Sequence, residues 1–217
     1  MKTASAAIVA VCVFLSAGAC GPPKYVSYAS INGDYKCSVP WGWNVVTEDD
    51  AHVYASTTFM GPFTPEFFLG IPSFAVRWYA NHAPHRLRGG STELYHGADD
   101  FIRQTLGEVY GRGREMVQPV HEIVLSGGRK AKHFVVLSSA EVPPTAHWGL
   151  SRDPQNGKLY NIRKHAYVVL PMKDGFYVIV YPATRAGFTL HEARFNELVN
   201  SFLPLTEGPQ GAKIQAK

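Results

Sequence analysis

Alternation of apolar and polar positions predicts that most of the chain forms β-strands. The segment DYKCSV has the period of a strand with one buried face. Its apolar positions are Tyr35, Cys37 and Val39, and its polar positions are Asp34, Lys36 and Ser38. HVYASTTF and SFAVRWYA, rich in β-branched and aromatic residues, indicate two more strands. The three prolines and two glycines of MGPFTPEFFLGIP exclude regular structure between them.

Two hairpins are predicted in the second half of the chain. VHEIVLS and KAKHFVVLSS flank Gly127-Gly128, and IRKHAYVVLP and GFYVIVYPA flank Met172-Lys173-Asp174. The run from Phe176 to Tyr181 is apolar at both odd and even positions. We therefore expect it to be a central strand that is covered on both faces.

Two segments have the spacing of apolar residues that is typical of helices. The stripe of the first is Ala98, Phe101, Ile102, Leu106, Val109 and Tyr110, and that of the second is Phe195, Leu198, Val199 and Phe202. Gly111 is expected to cap the first helix, Thr189-Leu190-His191-Glu192 to open the second as a capping box, and Pro204 to end it. Strands, a helix, four strands and a final helix, joined by hairpins, predict an α+β fold.

The N-terminus has the layout of a secretory signal peptide. Lys2 precedes an uncharged run from Ala4 to Leu15, and small residues follow before Cys20. The run is too short to span a bilayer as a helix, which needs about 20 residues. We therefore predict that residues 1–19 are a signal peptide and that the chain is exported.

Cys20 has two interpretations. Ala17-Gly18-Ala19-Cys20 resembles a bacterial lipobox, in which the cysteine is joined to diacylglycerol and becomes the new N-terminus. The protein would then be anchored by lipid on the periplasmic or extracellular face of a bacterial membrane, inner or outer. In the alternative, ordinary cleavage leaves Cys20 without lipid, and it forms a disulfide with Cys37. The Gly-Pro-Pro sequence that follows favours a flexible tether over residues 20–30.

The remaining residues are predicted to form one domain over 31–205 and a loose tail over 206–217. A hydrophobic content of 46% and an aromatic content of 12% indicate a packed globular core. The net charge is only +4, and the cations are scattered along the sequence. Because nucleic-acid binding needs a denser cluster of basic residues, we predict no nucleic-acid partner.

Two segments carry a family resemblance. YKCSVPWGWNV resembles the first strand and Pro-x-Gly-Trp turn of the PsbP-like superfamily, which includes DcrB-type bacterial lipoproteins. GFYVIVYPATRAGFTLHEARFNELVNSFLP is similar to the closing strand and helix of that superfamily. The resemblance covers about residues 30 to 205 and implies an antiparallel sheet flanked by helices, an α/β/α sandwich. Because many members are non-catalytic assembly or binding factors, it also implies such a role here.

The search for catalytic motifs favours a binding protein over an enzyme. The sequence has no nucleophile elbow, zinc-protease motif or phosphate-binding loop, and we predict no cofactor. The leading prediction is an exported lipoprotein that binds or assembles another protein of the cell envelope. The alternative is a hydrolase or metal-binding protein that uses His82, His85 and His96.

The segment AEVPPTAHWGLSRDPQNGKLYN departs from the PsbP-like pattern and is long for a loop without periodicity. It carries His147 and Trp148 and leads into a strand on which Arg163 and His165 share one face. We predict that these four residues line a site for a partner or ligand. The alternative is a loop without a binding role.

Overall fold

The computed structural model describes residues 23–50, 53–63, 71–86, 91–109, 114–141 and 160–209. The strands are β1 (Tyr25–Ala29), β2 (Tyr35–Pro40), β3 (Asn44–Asp50), β4 (Tyr54–Met60), β5 (Ser73–Ala80), β6 (His85–Arg86), β7 (Thr92–Glu93), β8 (Arg114–Val124), β9 (Lys130–Glu141), β10 (Tyr160–Pro171), β11 (Gly175–Thr184) and β12 (Leu203–Pro204). The helices are α1 (Ala98–Gln104), which a π-helical segment Thr105–Val109 continues, and α2 (Arg185–Ser201).

A seven-stranded antiparallel sheet organises the fold, with the strand order β3-β4-β5-β11-β10-β9-β8. Both predicted hairpins, β8–β9 and β10–β11, are present. Strand β11 lies in the middle of the sheet, and every residue from Phe176 to Tyr181 is buried. The prediction of a central strand covered on both faces is therefore confirmed.

Helix α2 covers one face of the sheet, together with a small sheet of order β1-β2-β12. The four residues of its predicted stripe are all buried: Phe195, Leu198, Val199 and Phe202. The Phe202 ring packs edge-on against Tyr177 of β11, with 5.4 Å between ring centroids. Burial of this stripe holds the helix on the sheet.

Helix α1 packs on the opposite face, where Phe101 lies 5.5 Å from Phe176 and 5.6 Å from Tyr79 between ring centroids. At seven residues it is only about 10 Å long and covers a small part of that face. The fold is thus a sheet-dominated α+β fold with a helix on each face. The fuller α/β/α sandwich that we expected is formed only in part, because α1 is so short.

The helix boundaries differ from those predicted. Helix α2 begins at Arg185, not at the Thr189 capping box, because the Thr184 side chain accepts a hydrogen bond from the Gly187 N–H at 3.1 Å. The predicted cap Gly111 of the first helix lies outside the described residues. The first helix passes into its π-helical segment after Gln104.

Some residues that were assigned to the tether and the tail are part of the folded unit. Strand β1, within the predicted tether, pairs with β2, and Tyr28 lies opposite Cys37. Near the C-terminus, Glu207 accepts a hydrogen bond from Arg129 at 3.0 Å.

Cys37 is buried with a free thiol, and burial raises its pKa to about 12. Cys20 lies outside the described residues, so its lipidation stays a prediction.

Candidate functional site

Of the four residues predicted to line a binding site, the structure describes Arg163 and His165 on β10. Arg163 is exposed, and His165, on the same face of the strand, is half-buried. Burial, and secondarily the charge of Arg163, lowers the pKa of His165 to about 4, so this imidazole is neutral at pH 7. His147 and Trp148 lie outside the described residues, and the four-residue site stays a prediction.

The predicted histidine cluster separates into two parts. His82 and His96 approach each other, with 2.9 Å between their Nδ1 atoms, and both are exposed. His85 lies elsewhere, buried with its Nε2 atom 3.0 Å from Glu93 Oε2. It stacks on Tyr54 with a centroid distance of 4.9 Å, which makes it a core residue. The proposed three-histidine ligand set is therefore wrong, since His85 is held in the aromatic core.

Backbone hydrogen bonds position the His82–His96 pair. His82 has a φ of 58°, a left-handed conformation that is uncommon for residues other than glycine. Its N–H donates to the Tyr95 carbonyl at 2.8 Å. The N–H of His96 donates to Asp100 Oδ2 at 2.9 Å. Two loops thereby bring together imidazoles that are fourteen positions apart in the sequence.

An open cleft of about 500 Å³ lies beside this pair, at the start of α1. Its lining includes His96, Asp99, Asp100, Arg103 and Lys132. Both carboxylates are paired, Asp99 with Lys132 and Asp100 with Arg103. The hydrogen bond from the His96 backbone, with further bonds from Gln104 and Arg103, holds the pKa of Asp100 below its usual range. No three metal-binding side chains converge within the described residues.

A second polar centre, around Asp34, was missed in the sequence because the strand pattern assigned Asp34 to the solvent side. The residue is instead buried, and its carboxylate accepts hydrogen bonds from Ser30 Oγ and from Tyr177 Oη at 2.6 Å. Its carbonyl accepts from the Leu205 N–H at 2.7 Å. The serine four positions before Asp34, typical of a side-chain-stabilised turn, was the available signal.

The cavity beside Asp34 has a volume of only about 20 Å³, and Tyr35, Thr57 and Trp78 help to line it. That is room for about one water molecule. We therefore assign the Asp34 centre a structural role. Its hydrogen bonds join β2, β11 and β12, and its cavity is too small for a ligand larger than water.

No model of a known protein family matches the chain, and no curated protein matches it. Among solved structures, it is similar to a Pseudomonas aeruginosa protein of unknown function, with 12% identity, a TM-score of 0.46, and coverage of 85% of this chain and 99% of that one. It is also similar to the cyanobacterial PsbP of Synechocystis sp. PCC 6803, with 13% identity, a TM-score of 0.45, and coverage of 87% and 97%.

A third similar structure, from Bacteroides thetaiotaomicron, has 12% identity and a TM-score of 0.42. The alignment covers 85% of this chain and 50% of the Bacteroides chain. A PsbP structure is thus among the structural neighbours. Similarities at this level carry no argument about function.

Proposed function

We propose that this chain is a non-catalytic, lipid-anchored protein of the bacterial envelope, and that the open sheet edge at β3 binds a protein partner. The signal-like N-terminus and Cys20 support the export and the anchor. The structural observation that carries the binding role is the difference between the two edges of the large sheet.

Strand β3 is a regular edge strand that pairs only with β4 within the described sheet. Its register runs without a bulge from Asn44 opposite Met60 to Asp50 opposite Tyr54. Val45 and Val46 are exposed, and the Val46 side chain retains 49% of its accessibility. A regular edge with exposed valines can accept an added strand from a partner, through main-chain hydrogen bonds and side-chain contacts.

Strand β8, at the other edge, has features that block strand addition. Pro119 removes a backbone donor from the middle of the strand. The pairing with β9 shifts register between Met116 and Gln118 and again before His121. Bulges and proline are common protections of sheet edges. The contrast favours β3 as the edge that takes a partner.

The arrangement of charges supports binding over catalysis. A hydrolase or metal-binding role would draw on the His82–His96 pair and the carboxylates of the neighbouring cleft. Those carboxylates, Asp99 and Asp100, are engaged by Lys132 and Arg103. General acid–base chemistry needs a group within reach that can exchange a proton, and the lowered pKa of Asp100 favours its charged form.

Site-specific photo-crosslinking in the native host tests the proposed edge. A photoreactive amino acid at Val46 of the full chain should give one discrete adduct, and Val45→Lys should abolish it. The control is the same probe at Val120, which is 39% exposed on β8 and should give no adduct. Equal adducts from both edges, or an adduct insensitive to Val45→Lys, would contradict binding at β3. Intact-mass measurement of the mature protein tests lipidation of Cys20 separately.

A further inference from the structure

The first described residues of the chain lie beside the turn that joins β2 to β3. The Trp41 N–H donates to the Lys24 carbonyl at 3.2 Å, and Tyr25 lies opposite Pro40 in the β1–β2 pair. Gly42, with a φ of 78°, allows the turn that follows. Strand β1 therefore begins next to Trp41.

This turn belongs to one end of the large sheet, which we call the Trp41 end. There β3 begins at Asn44, opposite the last residue of β4, Met60, which in turn lies opposite the first residue of β5, Ser73. The opposite end of the sheet carries the β8–β9 turn and the loop of His82.

Exposed apolar side chains occur at the Trp41 end. Trp41 retains 54% of its accessibility, although tryptophan is usually well buried. Phe63 and Ile71 are also exposed. Phe63 follows Gly61 in the sequence, and Ile71 precedes Pro72. The Gly61 N–H donates a hydrogen bond to the Pro72 carbonyl at 2.8 Å. The Trp43 ring lies directly against Gly61, so the turn and these two segments adjoin one another.

The anchor residue is close to this end by covalent geometry alone. Cys20 lies four positions before Lys24 in the sequence. Four residues span at most about 14 Å when fully extended. The headgroup layer on one side of a bilayer is itself about 5 to 8 Å thick. A lipid on Cys20 therefore keeps the Trp41 end within reach of the membrane surface.

We infer that the Trp41 end docks on the phospholipid headgroup layer and orients the domain on the membrane. The inference depends on the proposed lipidation of Cys20. Indole rings concentrate at the membrane–water interface, where an apolar ring with one polar group is favoured. The Lys24 ammonium, 5.4 Å from the Tyr25 ring centroid, supplies a cation that attracts anionic headgroups. In this orientation the His82–His96 cleft faces away from the bilayer.

Tryptophan quenching by brominated lipids tests the docking. The purified mature lipoprotein, with lipid on Cys20 verified by mass, is reconstituted into vesicles of phosphatidylethanolamine and phosphatidylglycerol with brominated chains. Bromine should lower its tryptophan emission relative to unbrominated vesicles. Trp41→Phe should remove most of that loss. Because Trp41 is exposed, the variant should fold normally, which circular dichroism checks.

A relocated tryptophan provides the matched control. Val124 is 67% exposed at the far end of β8, roughly 30 Å from the Trp41 end for strands of ten residues. Trp41→Phe combined with Val124→Trp should show no quenching of the new indole. Lys24→Glu should weaken quenching in vesicles that contain phosphatidylglycerol and have little effect in purely zwitterionic vesicles.

The outcomes separate this inference from the proposed function. A lipidated protein whose quenching is unchanged by Trp41→Phe, or equal at Val124, would overturn the docking and leave the anchor intact. A mature chain without lipid on Cys20 would overturn both. Quenching that depends on Trp41 in the lipidated protein would establish the orientation.

Discussion

Mild acid should destabilise this protein through two half-buried histidines, His133 and His165. Burial is the main cause that lowers the pKa of each to about 4, with additional contributions from His121 and Arg163 respectively. In the unfolded chain each imidazole titrates near its ordinary pKa of about 6.5. The unfolded state therefore binds protons that the folded state does not, and the stability that each group contributes above about pH 6.5 is lost as the pH falls towards about 4.

The size of the effect follows from these two pKa values. A group that titrates at about 6.5 when unfolded and about 4 when folded lowers the free energy of unfolding by about 2 kcal/mol between about pH 7.5 and about pH 5. Partial exposure of both side chains reduces this to about 1 to 2 kcal/mol per histidine. Urea unfolding at about pH 7.5 and about pH 5, monitored by circular dichroism, measures the difference in the free energy of unfolding.

Variants separate the two histidines from the other titrating groups. His133→Gln combined with His165→Gln should remove most of the acid-induced loss of stability, whatever its effect at neutral pH. Removing the neighbouring charge with His121→Gln or Arg163→Gln should raise the pKa of the adjacent histidine and reduce the loss by a smaller amount. The reasoning is refuted if the double variant loses as much stability on acidification as the original protein.

Three further substitutions test the core, and a fourth, at exposed Leu190, is the control for the first of them. Phe202→Ala should lower the free energy of unfolding by about 3 to 5 kcal/mol because its ring is fully buried, whereas Leu190→Ala, on the exposed side of α2, should change it by less than about 0.5 kcal/mol in the same urea titration. Tyr177→Phe removes a donor to the buried Asp34 carboxylate and should cost about 1 to 3 kcal/mol; an unchanged unfolding midpoint would contradict this role. Gly175→Ala would place a methyl group 2.2 Å from a backbone carbonyl and should lower the melting temperature by several degrees, measured by calorimetry.

The predicted elements that rest on local periodicity are present. The Phe176–Tyr181 strand, both hairpins and the buried stripe of α2 follow from side-chain spacing, which a one-dimensional pattern records directly. Strand β1 was missed because the prolines that precede it favoured a tether. The start of α2 was misplaced because Thr184 and Thr189 are both acceptable caps, and only the path of β11 places Thr184 at the helix start.

The candidate sites depended on contacts that the chain makes over long sequence distances. The sequence offered His82, His85 and His96 as an alternative metal site, but their positions in the sequence do not show which of them meet in the fold. Backbone bonds to Tyr95 and Asp100 bring His82 and His96 together, and aromatic packing takes His85 away from them. Which histidines lie close together therefore depends on tertiary contacts.

The sequence by itself determined most of the strands, the presence of both helices, which faces are apolar, and the signal-like layout of the N-terminus before Cys20. Those properties depend on neighbours within a few residues, whose spacing decides how much apolar surface one element can bury. Only the tertiary structure decided that Asp34 is buried, that β3 and β8 are the edges of the described sheet, and that β1 begins beside Trp41. Each of these depends on pairing between distant segments, and the free energy of that pairing comes from surfaces that meet only after the chain has folded.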